Sequence, residues 1–294
     1  MALRVGTDCS GIEAPIQALK KLNINFSHEW SCEIDKYARE SILANYEPKL
    51  LFEDITKIRK LPEIDLYVCG FPCQTFSTAG NRDGFGDPRG TIFYQCLKVI
   101  RTKKPKYFIL ENVKGLVNHD SGNSLRTILN CLKKLKTYDV HHKVLNTRDY
   151  GIPQNRERIF IVGIKSSLNK TFDFPKKKKM KDIKSFIDTS DKDKHIYSNY
   201  CTDSMNKTKG VFVDSSFINI ISSNCYQTYT PTICVKSLIW CKPMHRKANK
   251  KELLRLQGFP SSFKVVVSNS QFNKQIGNSM SVNVLVEIYK QLFN

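Results

Sequence analysis

A thiol, several carboxylates and a pair of guanidinium groups recur in this chain where a sheet could present them. Cys73 lies in Gly70-Phe71-Pro72-Cys73-Gln74, directly after the apolar run Asp65-Leu66-Tyr67-Val68-Cys69. That run reads as a buried strand closed by a glycine. The thiol therefore falls in a loop past a strand end, where open α/β sheets bind ligands. Pro72 stiffens the approach by fixing its own φ. A thiolate adds to electron-poor carbon, and a neighbouring acid that holds a proton on the acceptor makes that carbon more electrophilic. Glu111 follows the strand-like run Tyr107-Phe108-Ile109-Leu110, and Arg156 and Arg158 fall between two further apolar runs, Val140 to Leu145 and Ile159 to Ile164. A Pro-Cys loop alone is more often a half-buried structural thiol, so the rest of the chain has to decide.

The elements that must carry these groups alternate. Leu3 to Asp8 reads as a strand running into Cys9-Ser10-Gly11-Ile12-Glu13-Ala14-Pro15, followed by a helix with apolar Ile16, Leu19 and Leu22. A glycine in such a turn lets a ligand approach the backbone and the helix N-terminus. His28 to Cys32 reads as the next strand, ending at Glu33, about 20 residues past the turn, where nucleotide folds set a carboxylate on a ribose diol. Glu33 as a plain cap of the helix starting near Asp35 is the competing reading. Asp54, after the short strand Leu50-Leu51-Phe52, has the same ambiguity: an acceptor for an adenine amine, or a turn residue. Ile92 to Ile100 reads as a helix with Phe93, Leu97 and Ile100 on one face. Leu125, Ile128, Leu129, Leu132 and Leu135 mark another amphipathic helix. The alternation through residue 165 predicts an α/β fold with a largely parallel sheet.

Beyond Ile164 the sequence turns to Asn, Ser, Asp, Thr and Lys, with Lys176-Lys177-Lys178-Lys179 in a row. That run fits a solvated surface, a nuclear address or a DNA-backbone contact. Gly210 to Val213 and Thr232 to Val235 read as short strands of a second, irregular lobe. Glu252 to Leu256 reads as a helix, and a last helix carries Val284, Leu285, Ile288 and Leu292 on its apolar face. Across its 294 residues the chain holds 47 Lys+Arg against 27 Asp+Glu, a net charge of +20. A balance that basic points to a polyanion, foremost nucleic acid. No run of 18 apolar residues could form a membrane-spanning helix, and the first residues lack the shape of a signal peptide. The ten cysteines read as reduced cytosolic thiols, with no pair at zinc-ligand spacing.

Taken together, Ser10-Gly11-Ile12, Glu33-Ile34-Asp35, Asp54-Ile55-Thr56, Gly70 to Ser77, Glu111-Asn112-Val113-Lys114, Tyr150 to Gln154 with Arg156-Glu157-Arg158, Gln257-Gly258-Phe259-Pro260 and Gly277-Asn278-Ser279 come in an order and at spacings that resemble the DNA cytosine-carbon-5 methyltransferases of restriction-modification type. The likeness covers nearly the whole chain. It implies a class I S-adenosylmethionine-dependent methyltransferase fold, Rossmann-like, mixed and mostly parallel, with a small irregular target-recognition lobe. The expected division is 1–165 for catalysis and cofactor, 166–257 for target recognition, and 258–294 returning to the catalytic domain. Cys73 is then the nucleophile for cytosine carbon 6. Glu111 handles the proton at ring nitrogen 3, Arg158 binds the base's carbonyl oxygen, and Arg156 holds a phosphate or orients the loop.

S-adenosylmethionine is the implied cofactor, without a metal. Ser10, Gly11 and Ile12 would lie near its methionine portion, Glu33 on the ribose, and Ile34, Asp54 and Ile55 around adenine. Gly70, Pro72, Asn278 and Ser279 complete that site. The implied partner is double-stranded DNA, met by Gln74, Ser77 and Arg89 on a lid-like loop and by Gln227, Thr230 and Thr232 in the second lobe. Gln227 reads equally as a surface amide. A monomer in the cytoplasm is expected, nuclear in a eukaryotic host, with a cognate restriction endonuclease as a further partner.

One stretch departs from the pattern. The family turn runs Asp-x-Phe-x-Gly-x-Gly-Gly; here Thr7 and Cys9 stand for the Asp and Phe, and Glu13-Ala14 for the last two glycines. A less permissive turn and weaker or reshaped cofactor binding are expected. Two rivals stand beside the main reading: a transfer-RNA cytosine methyltransferase, and a catalytically silent DNA-binding member.

Overall fold

Seven strands line up in the order β3-β2-β1-β4-β5-β7-β6, and the two strands read first from sequence lie at the centre. They are β1 (Leu3–Asp8), β2 (Phe26–Cys32), β3 (Leu50–Phe52), β4 (Leu66–Cys69), β5 (Tyr107–Val113), β6 (Tyr138–Asn146) and β7 (Glu157–Lys165). This computed structural model describes residues 1–57, 60–72, 92–191, 210–215 and 228–293. The chain divides into two compact units: Met1–Leu145 with Glu157–Pro175 and Leu285–Asn294, and Asn146–Arg156 with Lys176–Val284.

In the first unit, β4 is buried at all four positions, as a strand covered on both faces must be. It pairs in parallel with β1 on one side and β5 on the other. Two glycines make room for aromatic rings: a Cβ on Gly6 would come 2.4 Å from the Trp30 ring, and one on Gly163 would enter the Phe108 ring. Helices α1 (Ala14–Lys21), α2 (Lys36–Asn45), α3 (Ile92–Lys103) and α4 (Asn123–Lys133) complete this unit with the end of a C-terminal helix. Asp35 caps α2 by accepting from the Tyr37 amide. In α3 the expected face of Phe93 and Ile100 is buried, joined by Cys96 and Val99, and Leu97 packs against the same core half-buried.

The sheet is mixed and mostly parallel, as expected. Strand β7 runs antiparallel to β5, and this ladder also moves two site residues. Glu111 and Arg158, expected in loops past the strand ends, lie within strands, paired opposite Phe160 and Val113. A strand's length follows its partner's hydrogen bonds, so polar residues stay in the ladder where apolar patterning would end it.

The second unit holds β8 (Phe212–Asp214), β9 (Ile239–Cys241) and β10 (Arg246–Lys247) as a three-stranded sheet, with α5 (Lys250–Gln257) and α6 (Asn269–Asn278). The start of the last helix, α7 (Val282–Phe293), also belongs to it. The expected strand at 232–235 does not form. Its backbone groups are met by side chains instead: the Ile233 amide donates to Gln154 and the Cys234 amide to Ser237. Helix α6 has no counterpart in the sequence reading; Gln275 to Asn278 are its final turn. Helix α5 starts with a capping box between Asn249 and Glu252. The Glu252 carboxylate also takes both terminal nitrogens of Arg246 at 2.8 and 2.9 Å. Both residues are buried, so each charge has its partner within the fold.

Asp8, at the end of β1, gives a measurable pH signature. Burial pushes its carboxyl up to about 6, against hydrogen bonds from the Tyr67 hydroxyl and the Trp30 indole. Because the folded pKa lies above the ordinary value, this group's stabilisation is complete below about pH 4 and lost as pH rises through 6. Asp8→Asn is therefore expected to be about 1 kcal/mol more destabilising at pH 5 than at pH 7. Urea unfolding of both proteins at the two pH values measures the difference.

Candidate functional site

Between β1 and α1 the backbone makes an unusual turn. Cys9, Gly11 and Glu13 all take left-handed angles, φ 50°, 56° and 61°. Only Gly11 does so without a side-chain cost; for the others the conformation costs about 1 kcal/mol or more each. Glu13 takes the glycine-like angle itself, at that cost. Its amide donates to the Ser10 carbonyl at 2.9 Å, and Pro15 opens the helix with φ already set.

Glu33 braces the same turn from the end of β2. One carboxylate oxygen accepts from the Gly11 amide at 2.7 Å and the other from the Asp35 amide at 2.9 Å. Burial raises the Glu33 carboxyl above its ordinary range, opposed by those two amides. The cap reading of Glu33 is thus realised in part, through Asp35, while the same group reaches the turn. Ile34 beside it is 77% exposed, an apolar side chain left uncovered. Ile12, by contrast, is fully buried and supports the turn from the core. Asp54 accepts from the Thr56 amide and hydroxyl at 2.9 and 2.7 Å. The Thr56 bonds lower its pKa, and Ile55 is buried.

The second grouping lies at the ends of β4 and β5. Cys69 pairs with Leu110, so Gly70, just past the end of β4, and Glu111 on β5 are the next residues along the two neighbouring segments. Asn112, buried, donates from its side chain to the Phe71 carbonyl at 3.3 Å and so fixes the backbone just before Pro72. Glu111 is 8% exposed, and its carboxylate lies 3.3 Å from Arg158 Nε. The expected acid and the expected fixed cation are thus brought together on adjacent antiparallel strands. Cys73, Gln74, Ser77, Arg89 and Gln227 lie outside the described residues.

In the second unit Arg156 differs from the phosphate-holding expectation. It is 2% exposed, and its guanidinium donates to the carbonyls of Ile233, Gly277 and Ser279 at 2.9, 3.0 and 2.7 Å. Its terminal nitrogens are thus engaged by backbone carbonyls. Ser279 is buried and Asn278, the last residue of α6, is exposed. Thr230 is fully buried; its amide donates to the Pro153 carbonyl and its carbonyl accepts from Asn155, both at 2.8 Å. Thr232 donates its hydroxyl to the Asn155 carbonyl at 2.5 Å. Both threonines therefore fasten the segment 230–232 to the loop 153–155, and Thr230 presents no exposed side chain for reading bases.

Three contributors are not singled out by the sequence. Asn112 stands there only as one letter of a motif. Thr7 and Glu13 read as losses, yet their side chains meet at 2.5 Å. The signal was available as a pair: a hydroxyl and a carboxylate six residues apart across a tight turn.

Comparison with known proteins agrees on one family. The family profile described as C-5 cytosine-specific DNA methylase matches residues 8–294. Type II methyltransferase M.HaeII of Haemophilus aegyptius is 38% identical over 298 residues, covering 97% of this chain and 90% of that protein. Type II methyltransferase M1.ScrFI of Lactococcus lactis subsp. cremoris is 37% identical over 285 residues, covering 90% and 71%. Among solved structures, the Entamoeba histolytica methyltransferase EhMeth superposes with a TM-score of 0.73 at 18% identity, covering 100% of this chain and 98% of the other.

Proposed function

The chain belongs to the C-5 cytosine-specific DNA methylase family, and on that premise we propose that it methylates carbon 5 of a cytosine turned out of duplex DNA, through a transient bond from Cys73. The family is one of methyltransferases, and the seven-stranded, mostly parallel sheet is the S-adenosylmethionine-dependent fold. A target cytosine is stacked within its duplex, so turning it out costs a few kcal/mol. The Cys73 thiolate adds to carbon 6, and the ring electrons move toward carbon 5 and nitrogen 3. Glu111 holds the proton at nitrogen 3, so charge does not accumulate on the ring. Arg158 offers its remaining N–H groups to the base's carbonyl oxygen, where charge develops. After methylation, loss of the carbon 5 proton restores the double bond and expels the Cys73 sulfur. The 3.3 Å approach of Glu111 and Arg158, one residue past the Cys69–Leu110 pair, is the observation that carries this reading.

The first unit's turn fits the cofactor. Each Glu33 oxygen takes one amide and keeps a lone pair for a ribose hydroxyl, and exposed Ile34 supplies an apolar surface for adenine. S-adenosylmethionine, when bound, supplies a methyl group on a positively charged sulfur. Ser10 and Gly11 would receive its amino-acid portion, and Asp54 would meet the adenine edge. The lobe at 166–257 would read the target, its lysines contacting phosphates. The relatives' names favour a restriction-modification setting, with a cognate endonuclease as partner.

Duplex DNA carrying 5-fluorocytosine at the target site tests the scheme, because fluorine cannot leave carbon 5 as a proton does. With S-adenosylmethionine present, a denaturation-resistant protein–DNA adduct is expected. Its absence would overturn the covalent route. Radiolabelled methyl transfer to transfer RNA in place of duplex DNA would favour the RNA rival.

A further inference from the structure

Glu13 is the most constrained side chain in the turn. It is fully buried, holds a left-handed backbone angle, and has a role in no step above. Its Oε1 accepts from the Thr7 hydroxyl and the Ser31 hydroxyl, each at 2.5 Å. Ser31 Oγ lies 3.0 Å from His28 Nε2, which is itself 3.6 Å from the carboxylate. Thr7 Oγ1 lies 2.8 Å from Ser10 Oγ.

An ionised carboxylate only accepts, and each hydroxyl has a single proton. These two facts orient the whole chain of bonds. Thr7 gives its proton to Glu13, so Ser10 is the donor in their 2.8 Å contact, its other acceptors being the Thr7 and Cys32 carbonyls at 3.1 and 3.3 Å. Ser31 also gives its proton to Glu13, so His28 must donate from Nε2. The Ser10 hydroxyl is thereby aimed back into the fold. Its oxygen is left to accept from the Cys32 amide, at 3.3 Å, while the Ser10 amide donates to the Cys32 carbonyl at 3.2 Å. Glu33 holds the next residue, Gly11, from the same side.

We propose that Glu13 is a positioning residue for the cofactor turn: through Thr7 its carboxylate sets Ser10, and with it the Ser10-Gly11 backbone that receives the cofactor's amino-acid portion. This rests on the cofactor assignment of that turn given above. It also accounts at once for two of the departures from the family pattern, those at 7 and 13. With a carboxylate at 13 and a hydroxyl at 7 in contact, the buried acceptor is supplied from the helix side of the turn rather than from the strand. The two substitutions act as one exchange, and each alone leaves the turn without its acceptor or with one too many.

Binding of S-adenosylmethionine and S-adenosylhomocysteine to the full chain, followed by calorimetry, tests the exchange. Glu13→Gly removes the acceptor, and affinity should fall about tenfold, the equivalent of one charge-assisted hydrogen bond. The double variant Thr7→Asp with Glu13→Gly returns an acceptor to the strand side and should bind within about threefold of wild type. In steady-state assays the loss should appear in the KM for S-adenosylmethionine rather than the KM for DNA. A double variant binding no better than Glu13→Gly, or a Glu13→Gly protein binding as wild type does, would overturn the proposal. Should Glu13→Gly not fold, Ser31→Ala takes its place, since it removes one donor to the carboxylate and leaves the turn intact. It should weaken binding severalfold, and wild-type affinity would count against the proposal. A wild-type chain that bound neither compound would remove the cofactor assignment itself, and this inference with it.

Discussion

Cys73→Ala is expected to abolish methyl transfer to DNA, lowering kcat/KM by about four orders of magnitude or more, while affinity for duplex DNA persists. Carbon 5 of cytosine is a poor nucleophile because its electrons are shared around an aromatic ring. Addition at carbon 6 converts it into an enamine carbon, and no other group in the scheme can make that addition. Cys73→Ser is expected to rescue little, since a hydroxyl is almost fully protonated at neutral pH and no general base stands in its motif. Glu111→Gln leaves nucleophile and fold in place and removes only proton handling, so its loss is smaller, about 10²- to 10⁴-fold. Tritiated methyl transfer and a gel-shift titration on the same DNA separate the effects. A Cys73→Ala protein that still transferred methyl groups would end the covalent scheme, and one that lost DNA binding in parallel would show that the residue matters for the loop rather than for chemistry.

Apolar patterning made the central strands readable. Leu66–Cys69 and Leu3–Asp8 are short and bounded by punctuation that sequence shows directly, and the glycine at 11 marks the turn between β1 and α1. What patterning misses is long-range pairing. Glu111 looks like the first loop residue because it follows four apolar ones, yet the β7 ladder carries the strand on to Val113. Helix α6 is missed for a related reason. Its sequence, Asn269–Asn278, is mostly polar, and its few buried residues, Phe272, Gln275, Ile276 and Gly277, are too mixed to announce a face. Gly277 packs so closely on the backbone of Cys234 and Val235 that a Cβ would come within 2.4 Å, a constraint no local pattern displays. The turn at 9–13 teaches the converse lesson. Residue by residue Thr7 and Glu13 look like defects, and only their contact shows a substitution of one arrangement for another.

Arg156 supplies the other large effect, on stability. Its Nη1 donates to the Ile233 carbonyl and its Nη2 to those of Gly277 and Ser279, joining segments of the second unit that are 77 to 123 residues away in sequence. Gln257 adds a donor to the Ser279 carbonyl at 3.1 Å, but Ile233 and Gly277 depend on the guanidinium among the bonds described. Arg156→Met fills much of the space and leaves buried carbonyls without donors, a loss of about 3–5 kcal/mol. Arg156→Lys retains the charge but offers a compact ammonium in place of a planar fork, so it should recover only part of the loss. Urea unfolding and limited proteolysis within 176–284 measure the change. The same variants decide between the two roles read for this residue. A phosphate ligand at 156 would flatten the salt dependence of DNA binding and leave unfolding unchanged. An orienting residue lowers the unfolding midpoint, and methyl transfer falls with the fraction folded while the salt slope of the folded protein stays as it was.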